Sequence, residues 1–172
     1  MIVAMAGLPG TGKSTLARAL APLCAGVVLD KDTIRRDLFP DPYLEYSDQQ
    51  DDFCQALLLQ TAEYLIKRHA GLFIFLDGRS FSRGYQLDRV IEAASGLSTN
   101  CSIIECFCSD QTAKQRLDEH DSRLLHPARN RSFALYQKIQ AQFEPIVSPK
   151  LTIDTDAPLE RCVASARAYL GI

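Results

Sequence analysis

Short apolar runs alternate along the chain with longer segments in which apolar residues recur every three to four positions. The short runs are rich in β-branched and aromatic residues and are bounded by glycine or polar residues, which predicts strands. The run at 72–77 is apolar almost throughout, as expected of a strand buried on both faces of a parallel sheet. The predicted strands are 1–6, 26–30, 72–77, 101–108 and 151–154.

The longer segments predict helices between the strands. Helical spacing places Leu16, Leu20 and Leu23 on the inner face of the first, and Phe53, Leu57 and Tyr64 on the inner face of the third. The predicted helices are 14–23, 32–38, 48–69, 82–94, 110–119, 132–143 and 159–170. Strands that alternate with helices predict an α/β fold, a three-layer sandwich in which a five-stranded parallel sheet lies between helices.

Composition narrows the class of protein without naming a function. The chain has 172 residues, of which 47% are hydrophobic, so we expect one domain over residues 1–172 with a packed core. The net charge of −2 does not demand nucleic acid as a partner, although it does not exclude a local basic groove that binds nucleic acid. No apolar run is long enough to span a membrane, and no basic leader precedes the first strand, so we expect a cytoplasmic protein that does not associate with membranes.

Six cysteines occur in the chain, and none forms a C-x-x-C pair. They are interpreted as buried free thiols in a reducing compartment, rather than as a disulfide framework or a metal site.

The segment directly after the first predicted strand matches the phosphate-binding loop G-x-x-x-x-G-K-[ST]. It reads Gly7, Leu8, Pro9, Gly10, Thr11, Gly12, Lys13, Ser14 and Thr15, and a predicted helix follows it. Glycines let successive N–H groups point at one anion, and the helix adds its positive dipole end. We expect Lys13 to reach the β and γ phosphates of a nucleotide and the Ser14 hydroxyl to ligate Mg²⁺.

Asp77 closes the apolar strand at 72–77, and Gly78 follows it. A carboxylate at the end of a strand beside a phosphate-binding loop is typical of the group that orients Mg²⁺ or its water. The alternative is an aspartate that only caps a turn.

Asp32 and Arg35 follow the second predicted strand at i, i+3 spacing, so they share one face of the short helix. A carboxylate there suits the base that accepts a proton from an acceptor hydroxyl. The guanidinium group of Arg35 is suited to hold an acidic or phosphate group of the acceptor, or the transferring phosphoryl group itself. The alternative is a solvated helix end in which Asp30 or Asp32 is an N-cap.

A basic segment with a proline at its centre predicts a short lid at about 119–131 that closes over the nucleotide, excludes water and neutralises developing charge. Its candidate cations are His120, Arg123 and Arg129, and the alternative is an ordinary solvated loop.

With these motifs in place, the chain resembles the small P-loop kinases of the adenylate-kinase-like fold. More narrowly, it is similar to the group that includes the kinase domain of bacteriophage polynucleotide kinase and chloramphenicol phosphotransferase. The resemblance covers nearly the whole chain and rests on residues 7–17, 32–35, 76–78, 115–117, 143–145 and 153–155.

The resemblance implies roles for particular residues. Asp32 would activate the acceptor hydroxyl, Arg35 would contact a phosphate, and Arg116 would contact the donor phosphates. The loop at 154–158 would lie near the adenine. The family often has a second arginine four residues after the position of Arg116, where this chain has His120. It also often has Gly-Thr after the strand aspartate, where this chain has Gly78 and Arg79, and Arg79 is a candidate contact for an anionic acceptor.

These observations predict an ATP-dependent phosphotransferase that moves the γ-phosphate to a hydroxyl of a small molecule, with ATP and Mg²⁺ as cofactors and Lys13, Asp32 and Arg116 as catalytic residues. The alternatives are a polynucleotide 5′-hydroxyl kinase and, in a different class, an ATP-binding switch module with slow hydrolysis. The acceptor, the oligomeric state and the preference between ATP and GTP do not follow from the sequence. ATP is the default because no base-reading Asn-Lys-x-Asp motif is present.

Overall fold

All five predicted strands are present in the computed structural model, which describes residues 1–123 and 132–172, the side chains of residues 120–123 excepted. They are Ile2–Ala6 (β1), Gly26–Asp30 (β2), Phe73–Asp77 (β3), Cys101–Phe107 (β4) and Leu151–Asp154 (β5). They form one sheet in the order β2-β3-β1-β4-β5, and every neighbouring pair is parallel. The predicted α/β class with a five-stranded parallel sheet is therefore confirmed.

Helices connect the strands in the alternation that a parallel sheet requires, since each crossover must return the chain to the same edge. In the described part of the chain they are Lys13–Leu20 (α1), Lys31–Leu38 (α2), Asp48–Ile66 (α3), Gly84–Gly96 (α4), Asp110–Arg123 (α5), Phe133–Gln140 (α6) and Leu159–Leu170 (α7). Two short 3₁₀ turns lie at Ala21–Leu23 and Asp41–Tyr43.

The sheet has helices on both faces, which makes the three layers. One face packs against α3 and α4 through residues that include Ile74, Leu58 and Val90. The other packs against α1 and α7 through residues that include Phe75, Leu16 and Ala166. Because successive residues of a strand point to opposite faces, Ile74 packs into the first core and Phe75 into the second.

Leu23 does not join the inner face of the first helix and is 49% exposed. α1 ends at Leu20, and Pro22 lies in the 3₁₀ turn that follows it. Proline lacks the N–H that a continuing helix needs, so the apolar spacing does not extend to Leu23.

The predicted inner face of the third helix is also wrong. α3 buries Gln50, Cys54, Gln55, Leu58 and Ala62, whereas Phe53 and Tyr64 are more than half exposed. Apolar residues surround much of this helix, so their spacing does not select one face. The small side chains of Cys54 and Ala62 fit against the core, and the Phe53 ring packs edge-on against Phe39 at the surface, with 5.9 Å between ring centroids.

Several helix ends differ from their predicted positions. α3 ends at Ile66 instead of residue 69, α5 continues to Arg123 beyond the predicted end at residue 119, and α6 ends at Gln140 instead of residue 143. The prediction of one domain over residues 1–172 stays a prediction.

All six cysteines are free thiols, and Cys54, Cys106 and Cys162 are buried. Burial raises the pKa of the Cys106 thiol to about 12, so this side chain packs as a neutral apolar group.

The carboxyl ends of the strands meet at one edge of the sheet, and this edge carries the residues of interest. β1 leads into Gly7, and Asp30 and Asp77 lie directly opposite each other at the ends of β2 and β3. Ligands of open α/β sheets bind at such an edge.

Candidate functional site

The loop between β1 and α1 adopts the conformation that the sequence motif predicts. Gly7, Gly10 and Gly12 have φ angles of 128°, 80° and 80°, a region that disfavours side chains. A Cβ on Gly7 would lie 2.1 Å from the carbonyl oxygen of Cys106, so the loop can pass this close to β4 only with glycine there. Gly12 precedes α1, whose first turn begins at Lys13.

Lys13 and Thr11 point back into this loop. The Lys13 Nζ donates to the carbonyl oxygen of Leu8 at 2.6 Å, and the Thr11 hydroxyl donates to the same oxygen at 2.7 Å. Lys13 is 6% exposed. A buried ammonium group is therefore held beside the N-terminus of a helix, an arrangement that binds phosphate.

Asp77 lies at the end of β3 with 1% exposure, and neither carboxylate oxygen has a hydrogen-bond partner among the described residues. A buried carboxylate without a partner is costly unless a cation joins it. Asp30 lies opposite, and its pKa is raised by burial and by the nearby charges of Asp77 and Asp32. The donor set of Asp77 with the Ser14 hydroxyl therefore fits Mg²⁺, a hard cation that prefers oxygen ligands.

Asp30 also shapes the start of α2. Its side chain is the N-cap, where Oδ1 accepts from the N–H groups of Asp32 at 2.8 Å and Thr33 at 3.3 Å. Of the two candidate N-caps, the structure selects Asp30, and Asp32 enters the first turn with 8% exposure instead of lying at a solvated helix end.

Asp32 and Arg35 share one face of α2, as their spacing predicts, and the Arg35 Nη1 donates to the Asp32 Oδ1 at 3.3 Å. Two further residues join them. The Lys31 Nζ lies 3.1 Å from the Asp32 Oδ1 and 2.9 Å from the Asp51 Oδ2, and Asp51 also pairs with the Arg35 Nη2. We call Lys31, Asp32, Arg35 and Asp51 the charge cluster.

Arg79 lies beside the charge cluster and is 5% exposed. Its guanidinium group pairs with Asp52 at 2.5 Å and donates to Gln55, both from α3. One helix, α3, thereby fixes the side chain that follows Gly78.

Arg116 reaches from α5 to the phosphate-binding loop. Its Nη1 donates to the Gly10 carbonyl at 3.4 Å and to the Thr155 hydroxyl at 3.0 Å, and its Nη2 donates to the Thr155 carbonyl at 2.8 Å. The Thr155 hydroxyl in turn donates to the Thr11 carbonyl at 3.0 Å. The loop after β5 is thus fastened to the phosphate-binding loop through Thr155.

Two cavities meet at the phosphate-binding loop, and Lys13 and Ser14 line both. The first, of about 350 Å³, contains the charge cluster together with Asp77 and Arg79, and we call it the charged cavity. The second, of about 240 Å³, lies between α1, Arg116 and the residues after β5, which include Thr155, Ala157 and Leu159. The predicted position of the adenine at 154–158 falls on this second cavity.

The structure brings most of the sequence-predicted residues to these two cavities, but not all of them can be placed. Arg129 lies outside the described residues, and so do the side chains of His120 and Arg123. The lid and its cations therefore stay a prediction.

Several residues of the charged cavity carry no signal in the sequence. Lys31 and Asp51 read as ordinary helix-end charges, and Asp51 reaches the site only because α3 packs on α2. α6 contributes Leu135, Lys138 and Ile139 to the wall.

None of the described helices is long and apolar enough to cross a membrane.

Comparison with known proteins places the chain in a family. A family model described as an AAA domain matches residues 2–146. No curated protein matches the chain significantly.

Three solved structures illustrate the shared fold. A gluconokinase from Sinorhizobium meliloti 1021 superposes with a TM-score of 0.71 at 18% identity, over 99% of this chain and 90% of that one. The Mycobacterium tuberculosis APS kinase CysC in complex with AMPPNP and APS gives 0.72 at 15% identity, over 99% and 97%. Chaetomium thermophilum Kti12 in complex with ADP-AlF3 gives 0.70 at 13% identity, over 98% of both chains. The chain therefore belongs to the AAA domain family and has the adenylate-kinase-like fold of the small P-loop kinases.

Proposed function

We propose that the protein is an ATP-dependent kinase that transfers the γ-phosphate of ATP to a hydroxyl group of a small molecule. The observation that carries this proposal is the meeting of the two cavities at Lys13 and Ser14. A nucleotide in the second cavity would place its terminal phosphate at that junction, and an acceptor in the charged cavity would approach it from the other side.

The residues of the loop would hold the donor. Backbone N–H groups from Gly10 to Ser14 and the Lys13 ammonium group would bind the β and γ phosphates, with Arg116 stabilising charge on the same side. The AMPPNP complex of the Mycobacterium tuberculosis APS kinase supports a nucleotide in this fold.

Asp32 would act on the acceptor. The acceptor oxygen bonds to the γ-phosphorus while the bond from that phosphorus to the β,γ-bridging oxygen breaks, the hydroxyl proton passes to the Asp32 carboxylate, and ADP leaves. Arg35 would hold Asp32 in place through its Nη1, and Arg79 would line the acceptor site.

Asp77 and Ser14 would hold Mg²⁺, which neutralises charge on the phosphate oxygens when it is bound. The two orphaned oxygens of Asp77 support this assignment.

The test is transfer of label from ATP with magnesium to a panel of sugars, polyols, antibiotics, nucleosides and 5′-hydroxyl oligonucleotides. We expect a labelled small molecule, and an Asp32→Asn variant should lower turnover by roughly 100- to 10,000-fold. ATP affinity should change by less than about threefold, since Asp32 faces the acceptor.

Asp37→Asn is the matched control, because Asp37 lies on α2 as well but is exposed and pairs only with the exposed Arg36 in the described structure. Full activity of Asp32→Asn would show that the base is assigned wrongly. Label on oligonucleotides alone would identify a polynucleotide kinase, and hydrolysis without any labelled acceptor would favour the switch module.

A further inference from the structure

The cations of the charged cavity already have counter-charges from the chain itself. Lys31 and Arg35 are the two at its centre, with side chains 6% and 3% exposed. Both contact Asp32 and both contact Asp51, so two positive and two negative charges balance within the charge cluster. In an arginine that is available to an anionic ligand, the guanidinium N–H groups point at the ligand site and are not paired with carboxylates of the chain itself.

Asp51 is the member of the charge cluster that the proposed phosphoryl transfer does not use. It lies in the first turn of α3 and projects across to α2, where its two oxygens contact different cations, Oδ1 with Arg35 and Oδ2 with Lys31. Its side chain is 21% exposed and lines the cavity. Asp51 thus stands where the anionic group of an acceptor would bind to these two cations.

An aromatic ring also packs on the Arg35 guanidinium group. The ring of Tyr46 lies 5.1 Å from its central carbon. An incoming phosphate or carboxylate would have to displace Asp51 and leave that carboxylate without a partner, at the cost of its desolvation.

Two of the other cations that line the cavity also have carboxylate partners. Arg79 pairs with Asp52, and Arg83 pairs with Glu144 at 3.1 Å. Lys138 lies on the exposed side of α6, at the rim. The centre of the cavity therefore presents neutralised charge.

Hydroxyl groups fit this lining without breaking any ion pair. A carboxylate has about four lone-pair sites, so Asp32 and Asp51 can accept from hydroxyls while they keep their cations. The wall adds neutral hydrogen-bonding side chains: Ser47, Ser80, Ser82, Gln86 and Gln142.

We propose that Asp51 is a specificity-determining residue, an internal counter-anion that restricts the acceptor to uncharged, polyhydroxylated small molecules. The inference rests on the proposed kinase function and names its substrate class. Specificity of this kind arises from what the site rejects as much as from what it binds.

The first test measures anion binding alone. The donor site is filled with Mg·AMPPNP, and sulfate is titrated by calorimetry into wild type and Asp51→Asn at constant ionic strength, so that screening is equal throughout. We expect Asp51→Asn to bind sulfate at least tenfold more tightly than wild type, because Lys31 and Arg35 lose one of their two carboxylates. The double variant Asp51→Asn/Arg35→Gln should lose this gain.

Asp48→Asn is the matched control. Asp48 lies in the same turn of α3 and lines the same cavity, but no ion pair joins it to Lys31 or Arg35 in the described structure. The Asp48→Asn variant removes the same charge as Asp51→Asn, and its sulfate affinity should stay within about threefold of wild type. Equal sulfate affinity of wild type and Asp51→Asn, or an equal gain in Asp48→Asn, would overturn the inference.

The second test uses matched acceptors: glucose with gluconate and glucose 6-phosphate, and glycerol with glycerol 3-phosphate. Wild type should phosphorylate the neutral member of a pair, and Asp51→Asn should shift the ratio of kcat/KM toward the anionic member at least tenfold, mainly through KM. A wild type that prefers an anionic member contradicts the inference even if Asp51→Asn does not fold. If no acceptor is phosphorylated, the kinase proposal fails, whereas the sulfate titration still decides the role of Asp51.

Discussion

Lys31 shows how a single buried charge responds to its neighbours. Its pKa is lowered from 10.5 to about 8, mainly by burial and in smaller part by Arg35 and Arg79, while the carboxylate of Asp32 opposes the shift. Asp51 also contacts the ammonium group, at 2.9 Å. The charge of Lys31 is thus maintained by its carboxylates against an unfavourable environment.

This lowered pKa predicts how stability depends on pH. Above pH 8 the folded protein releases the Lys31 proton, whereas the unfolded chain keeps it until about pH 10.5, so the unfolded state binds more protons and stability rises with pH. Relative to Lys31→Met, which has no such proton, wild type should gain about 2 kcal/mol in free energy of unfolding between pH 7 and pH 10. Urea unfolding of both proteins across this range measures the difference.

Lys67→Met is the control for that experiment, because Lys67 is exposed and pairs with Glu63 on the surface of α3. The difference of Lys67→Met from wild type is the baseline for the Lys31→Met difference. Equal pH dependence of the two differences would mean that burial does not lower the Lys31 pKa.

At the scale of elements, the start of α2 and the turn after β3 depend on each other. Gly78 has a φ angle of 83°, and a Cβ there would lie 2.7 Å from the Oδ1 of Asp30. That oxygen is the N-cap acceptor of α2, and the backbone nitrogens of Lys31 and Asp32 would lie 3.0 Å from the same Cβ. The cap and the turn can therefore approach this closely only with glycine at residue 78.

Gly78→Ala should destabilise the protein by about 2 to 3 kcal/mol, from the positive φ together with the displaced cap. Gly71→Ala separates the two causes. Gly71 has a similar φ of 78°, but a Cβ there would meet nothing within 4 Å, so only the conformational cost of about 1 kcal/mol applies. Equal losses of unfolding free energy in urea would show that contact with Asp30 is unimportant.

The same pair of variants tests the link to function. Gly78→Ala moves the first turn of α2, which carries Asp32, and should lower turnover at least tenfold. Gly71→Ala lies far from the cavities and should leave turnover near that of wild type.

At the scale of the whole molecule, ligand binding and folding are coupled through Asp77. The two carboxylate oxygens, which have no hydrogen-bond partner among the described residues, lie at the carboxyl edge of the sheet, opposite Asp30. Without a cation they oppose folding, and with one they contribute to it.

Asp77→Asn should therefore have opposite effects in two conditions. In buffer with EDTA the variant should be more stable than wild type by about 1 kcal/mol, because a buried negative charge is removed. With Mg·AMPPNP at about 100 times its Kd, wild type should gain about 2.7 kcal/mol, and the variant should gain much less at the same concentration. Thermal unfolding in the two buffers measures both effects.

Asp88→Asn, which removes an exposed carboxylate from α4, is the control and should behave like wild type in both buffers. If Mg·AMPPNP stabilises Asp77→Asn as strongly as wild type, Asp77 does not support the cation.

Local pattern was sufficient for the order of elements and for the backbone conformation of the phosphate-binding loop. Alternating apolar runs and helical repeats predicted the five strands and the helices between them, because strand and helix periodicity are properties of neighbouring residues. The glycines at 7, 10 and 12 have the positive φ angles that the motif requires, and Lys13 and Ser14 follow at the start of α1.

Helix faces were less predictable where apolar residues are abundant. The exposed Phe53 and the buried Gln55 of α3 reverse the simple rule that apolar side chains face inward. Gln55 is buried because it donates to the Gln86 carbonyl and receives a hydrogen bond from Arg79, and both partners lie more than twenty residues away.

The sequence by itself determined the fold class, the phosphate-binding loop, the position of Asp32 just after β2 and that of Asp77 at the end of β3, since each depends on local order or on a short spacing. Only the tertiary structure decided that Asp51 joins Lys31, Asp32 and Arg35 in one neutral cluster, that Thr155 joins Arg116 to the loop, and that α6 forms part of the cavity wall. These contacts join residues from different elements, and the packing of α2, α3, α5 and α6 sets their distances. The lining of the proposed acceptor site is therefore a property of the fold, whereas the motif of the proposed donor site is visible in the sequence.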